Sequence, residues 1–226
     1  MNWRSSKTSL GKAVSSGGGR SVFAKPGRNY VRALGGARKA AKTSRTGRST
    51  TAAIGQFLTN VGNRGINGAL ESLGLSTFVG KDAETVFAAI SNALAPVGSS
   101  REEAIARKAV NEALENLYEQ YVLDGGDITK LDQMGAQEVG KAIETVVSSY
   151  IYNRWLGELE IVLESKAVSI KDAIRLERDM KEYIRECVRL DMQGVNVLTM
   201  DWNGSSGQQF IEKIFIEAYS ILEEAQ

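Results

Sequence analysis

Histidine is absent from the 226 residues of this chain. That excludes Ser–His and Cys–His nucleophilic machinery, in which imidazole is the base. It also excludes zinc sites built on histidine. The single cysteine, Cys187, can make neither a cysteine-only metal site nor an internal disulfide. Any general acid–base chemistry falls to Asp, Glu, Lys or Tyr. Cys187 sits among Ile184 and Val188 in a helical pattern, the setting of a small core residue. Long apolar runs are missing too. None reaches the about 7–15 residues of a signal-peptide core or the about 20 of a membrane span, so the expectation is a cytoplasmic protein. The Arg- and Ser-rich start has the composition of a transit peptide, a compositional match only. Without an export signal, the Asn203-Gly204-Ser205 triplet carries no weight as a glycosylation site. Acidic residues are missing from residues 1–70, which carry thirteen Lys or Arg, while the other 156 residues hold fifteen basic and 27 acidic side chains. The net charge of +1 therefore averages a basic start and an acidic body.

What is present reads as helix. Asp82 is a natural N-cap, and Val86, Phe87, Ile90, Ala93 and Leu94 follow at helical spacing. Pro96 ends the pattern and Gly98 lets the chain turn. Ser99 and Ser100, with Glu102 and Glu103 three residues on, offer a capping box in two registers. Ile105, Ala109, Ala113 or Leu114, Leu117 and Tyr121 then line one face, and Glu103 stands four residues before Arg107, a helix-favouring pair. The stretch 73–122 predicts a helical hairpin. Residues 50–74 predict a helix broken at Gly62 and Gly65. Residues 137–165 predict a long helix apolar on two sides, and further helices start at Ser169 and after the loop 200–207. No strand-period segment is long enough to matter.

The first 29 residues are rich in Ser, Gly and Lys/Arg. The Gly17-Gly18-Gly19 run and Pro26-Gly27 break regular structure, which predicts disorder in isolation. Trp3 and Phe23 are the exceptions. Anchoring to a partner and contact with this protein's own core both stay open for them. Residues 30–49 have alanine enough for a helix that Gly35-Gly36 weakens. The expected fold class is all-α: a multi-helix, bundle-like domain over 48–226, preceded by a basic, Gly/Ser-rich flexible arm over 1–47. Lys12, Arg20, Arg28, Arg32, Arg38, Lys39, Lys42, Arg45 and Arg48 are the candidate contacts for a partner or an anion. Solvation, or docking on the acidic body, is the other reading. No aromatics are interleaved for base stacking.

Motifs with chemistry fail on inspection. Between Gly74 and Gly80-Lys81-Asp82 stand five residues, with Asp where a phosphate loop needs Ser or Thr, and Gly11-Lys12-Ala13 fails too. A calcium loop begun at Asp127 puts Glu138 in twelfth place but lacks the sixth-position glycine, so Asp124-Gly125-Gly126-Asp127 reads as a turn followed by a cap. Asp201-Trp202 is a candidate polar site, with loop anchoring as its alternative. No cofactor, metal or catalytic residue is expected.

Residues Leu10-Gly11-Lys12-Ala13, Gly17-Gly18-Gly19, Tyr30-Val31-Arg32-Ala33 and Gly35-Gly36 form a pattern. It continues through Leu73-Gly74-Leu75-Ser76, Val79-Gly80, and Ile90 to Ala93-Leu94-Ala95-Pro96. From Leu10 to Leu117 the chain resembles the QatB component of bacterial Qat anti-phage defence systems. The resemblance implies a non-enzymatic subunit of a four-gene set. Its partners would be a P-loop ATPase, a deazaguanine-synthase-like enzyme and a TatD-like nuclease. It further implies that the synthase-like partner attaches a deazapurine to the amino terminus. Relatives begin Met-Gly with a longer Gly/Ser/Pro leader. Here Asn2 follows Met1, so no modification site is carried over. The alternative function is a nucleic-acid-binding helical module using the basic arm.

Overall fold

The computed structural model describes residues 3–17, 19–122, 126–166, 168–190, 192 and 194–225, and every regular element among them is helical. The chain divides into two compact units, one made of Met1–Arg45, Val147–Leu190 and Glu212–Gln226, the other of Thr46–Val146 and Asp191–Ile211.

In the first unit the described residues of the expected arm are helical. α1 spans Trp3–Ser15, a 3-10 turn covers Arg20–Phe23, α2 spans Ala24–Ala33 and α3 spans Ala37–Thr43. These helices bury small residues alongside a few large ones. α1 lies along α2, with Ser6, Ser9 and Gly11 buried beside Leu10, Ala13 and Val14. The Asn29 amide of α2 donates to Ser9 Oγ at 3.0 Å. The supposed breakers sit inside α2. Pro26 falls in its first turn, where a missing N–H costs nothing. Gly27 faces Trp155 so closely that a Cβ there would lie 3.3 Å from the ring. The break between α2 and α3 is the expected one: Gly35 and Gly36 have φ of 97° and 88°, a region open to glycine.

Residues 147–165 of α7 (Ala136–Ser165), α8 (Ile170–Cys187) and the end of α9 (Ser205–Glu224) complete this unit. Its centre is aromatic. Tyr30 stacks on Trp155 with ring centroids 5.4 Å apart, and Phe23 meets Trp155 edge-on at 6.2 Å. Phe23 is fully buried, and Trp3 lies edge-on to Tyr30, so within this chain both aromatics of the N-terminal segment touch its own core.

The second unit holds α4 (Arg45–Ser72), α5 (Ala83–Leu94), α6 (Arg101–Tyr121), a 3-10 turn over Ile128–Gln133 and the start of α7. α4 breaks at Gly65, where φ 71° and ψ 170° leave the helical region as the sequence predicts, and it runs on through Gly62. Asp132 caps the restart: its Oδ1 accepts the Ile66 N–H at 2.6 Å. Asp127 accepts from Thr129, a cap as expected, while 123–125 of the preceding turn lie outside the described residues.

The α5–α6 hairpin forms as the sequence predicts. Asp82 accepts the Thr85 N–H, and Ser100 with Glu103 makes the full capping box. Arg107 does not turn to Glu103. It reaches back to the end of α5, donating to Ala95 O at 2.6 Å and to Asn92 Oδ1 at 2.7 Å, and so closes the hairpin.

These caps carry a pH signature. The Thr85 N–H and hydroxyl hold Asp82 below the usual carboxylate range, and the Ser100 hydroxyl and N–H do the same for Glu103. A carboxylate depressed on folding stabilises fully above its unfolded value and loses that contribution as pH falls through the lower folded value. The urea midpoint is therefore expected to fall once pH drops below about 4. Ser100→Ala should cost about 1 kcal/mol at pH 7 and less at pH 3. Equal losses at both pH values would remove Glu103 from the account.

Candidate functional site

The nine basic candidates are spread along the chain from α1 to the start of α4. Lys12 is exposed on α1, Arg28 half-buried and Arg32 exposed on α2, and Arg38, Lys39 and Lys42 exposed on α3. Arg38 and Lys42, one turn apart, share a face. Arg45 is exposed at the start of α4, whereas Arg48 is half-buried and belongs to the second unit. The Arg20 side chain lies outside the described residues.

Lys12 lines a groove between α1 and the end of α7, with Lys7 and Lys166 beside it and hydroxyls from Thr8 and Ser15. Lys166 Nζ donates to Ser15 Oγ at 2.9 Å. Lys12 and Lys166 stand at helix C-termini, where unpaired carbonyls favour cations. Stabilising those ends accounts for both lysines without a bound anion.

The cation at the centre of the first unit was not among the sequence candidates. Arg154 projects from α7 and gathers the end of α3 and the side of α9. Its Nη1 donates to Ser44 Oγ at 2.9 Å, Tyr219 OH at 3.2 Å and Ala40 O at 3.4 Å, and its Nη2 donates to Thr43 Oγ1 at 3.1 Å. Ser44 and Tyr219 are fully buried and bonded to each other at 3.1 Å. On the other side of α3, Glu223 Oε2 accepts the Ala37 N–H at 3.0 Å, so α9 caps the helix start. The short α3 with its three exposed cations is thus held at both ends. The one signal in sequence was an arginine set among the large apolar residues Tyr150, Ile151 and Trp155 of α7. Arg154→Met is expected to cost about 2–4 kcal/mol in urea unfolding through lost charged hydrogen bonds. Arg154→Lys, which keeps the charge but not the fork, should fall between the two.

Burial pushes both the Tyr183 phenol and the Cys187 thiol up, away from ionisation. Cys187 is accordingly a poor nucleophile, as the helical pattern around it suggested. Asp201-Trp202 is a loop anchor. The Asp201 carboxylate accepts the Gly204 N–H at 3.0 Å just before α9, and Trp202 is fully buried with Nε1 donating to Thr59 Oγ1 at 2.8 Å. Among the described residues no group of three or more Cys, Asp or Glu side chains is placed to hold a metal ion, and no helix is long and apolar enough to cross a membrane.

Charge separates by unit. The first unit contains 20 basic and 12 acidic residues, a net of +8, and the second contains 8 basic and 15 acidic, a net of −7. Opposite potentials of this size steer partners of opposite charge to different parts of one chain.

No curated protein and no solved structure matches the chain. The family model described as Qat anti-phage system associated protein QatB matches residues 35–222. The match runs through the C-terminal helices, beyond Leu117 where the sequence resemblance ended, and it begins after α2. Since it covers well over half of the chain, the protein belongs to the QatB family and is a component of Qat anti-phage defence.

Proposed function

We propose that this protein is a non-enzymatic interaction subunit of a cytoplasmic Qat defence complex, and that its amino-terminal segment is presented to a deazaguanine-synthase-like partner. The P-loop ATPase and the TatD-like nuclease of the same system are its other partners. The family match over 35–222 carries the reading. The match covers α3 to α9 of the helical body. The polar groups buried or capping in that body, Arg154, Asp132, Asp201 and Glu103, are engaged in holding helices together. α1 docks on α2 through few large side chains. Detaching it exposes Leu10 and Val14 at about 1.5–3 kcal/mol each, a cost that a partner gripping the segment can offset.

Intact mass of the protein purified after co-expression with its genomic neighbours tests this. The expected result is bound neighbours and an amino-terminal mass addition the size of a deazapurine adduct. Bound neighbours with an unmodified mass would keep the complex and remove the modification. An unmodified mass with no neighbour bound would overturn the reading.

The +8 charge of the first unit favours a second reading, nucleic-acid binding through the exposed cations of α2 and α3. In that case Arg38→Glu with Lys42→Glu weakens binding across all sequences and lowers the salt slope by about 1 for each phosphate no longer neutralised.

A further inference from the structure

We propose that the groove between α5 and α6 docks a cationic amphipathic helix belonging to another subunit of the Qat complex. This deepens the interaction-subunit reading and rests on it. The groove has a volume of about 430 Å³. On α5 its lining residues run from Glu84 to Asn92, and on α6 from Arg107 to Glu119, each set recurring every three to four residues. Both sets are therefore single helix faces, two to three turns long. That is the length and shape of a helix-in-groove site rather than of a compact ligand pocket.

Its floor is apolar. Phe87 and Tyr118 meet edge-on at 5.3 Å, with Leu114 buried between the strips and Ala88 exposed. Its rim is acidic. Glu84, Glu115 and Glu119 are exposed, and the one cation of the lining, Arg107, is tied to Ala95 O and Asn92 Oδ1. The surrounding unit carries the −7 net charge, so its field extends the local preference. A helix with aliphatic or aromatic residues on one face and Lys or Arg flanking them satisfies both floor and rim, and an acidic segment is repelled.

The test uses the full chain co-expressed with the other subunits of its system. A photo-crosslinking residue replaces Ala88, and affinity is measured for the subunit that is captured. Glu115→Lys with Glu119→Lys reverses the rim, and Glu71→Lys with Glu224→Lys makes the same charge change outside the groove. The expected result is a crosslink to a cationic amphipathic segment. Binding weakens about tenfold or more in the rim variant and stays within about twofold in the control. A crosslink to an acidic or neutral segment overturns the proposal. So does unchanged affinity in the rim variant, which leaves the interaction-subunit reading standing. No subunit bound to the wild type overturns both. Circular dichroism and urea midpoints matching the wild type show that the variants are folded.

Discussion

Trp155→Ala is expected to remove about 3–5 kcal/mol of folding stability, a large part of what a domain possesses. Trp155 is fully buried, stacked on Tyr30 and edge-on to Phe23, and its ring approaches Gly27. It is the shared contact for the elements that the composition of residues 1–29 disguised. Urea unfolding measures the loss. Trp155→Phe should cost much less. The indole Nε1 has no hydrogen-bond partner among the described residues, so phenylalanine gives up volume but no bond. A loss for alanine close to that for phenylalanine would mean that the aromatic cluster does not hold the unit together. This bears on how function is probed. Deleting residues 1–34 removes Leu10, Phe23, Tyr30 and Val31, all buried, along with the positive charges. Lost binding in such a truncation cannot be assigned to charge, and charge substitutions on α3 are the cleaner test.

Local signals written in adjacent residues were legible. Asp82, the Ser100–Glu103 box, Ser169 with Asp172 and the Gly35-Gly36 break each act within one turn of themselves, and each appears where the sequence places it. What stayed hidden depends on a residue far along the chain. Pro26-Gly27 reads as a breaker until Trp155 arrives to fill the space over Gly27. Gly65 reads as an interruption, and only Asp132, sixty-six residues from Ile66, makes it a capped restart. Arg154 carries no motif, because its partners are hydroxyls from residues 43, 44 and 219. The candidate cations were chosen by type, but type does not tell Lys12, which lines the groove beside Lys166, from Arg38 and Lys42, which are exposed on a clamped helix. The α5–α6 hairpin was visible as a fold element. Its groove was not, because the acidic rim and aromatic floor meet only when Glu84, Phe87, Leu114 and Glu119 come onto facing helices.

Trp202 and Gly55 should be strongly coupled, with a sign that reverses. Trp202→Ala is expected to cost about 3–5 kcal/mol, since the ring is fully buried beside Phe210. Here phenylalanine is not a mild replacement. Trp202 Nε1 donates to Thr59 Oγ1, whose own hydroxyl donates to Val197 O at 2.9 Å, so losing the indole N–H leaves a buried acceptor short at about 1–3 kcal/mol. Gly55 lies in the middle of α4, where alanine would ordinarily gain about 1 kcal/mol over glycine. A Cβ at Gly55 would stand 2.5 Å from Cδ2 of the Trp202 ring, a distance no packed pair tolerates. Gly55→Ala alone should therefore destabilise by about 1–3 kcal/mol through overpacking. In the Trp202→Ala background the collision is gone, and the same change should be neutral or stabilise by up to about 1 kcal/mol. The cycle then gives a coupling of about 1–4 kcal/mol, outside the about 0.5 kcal/mol scatter of independent sites. Additive losses would mean that the ring moves aside without cost, and that the helix-to-loop contact at Gly55 does not fix the loop 194–204.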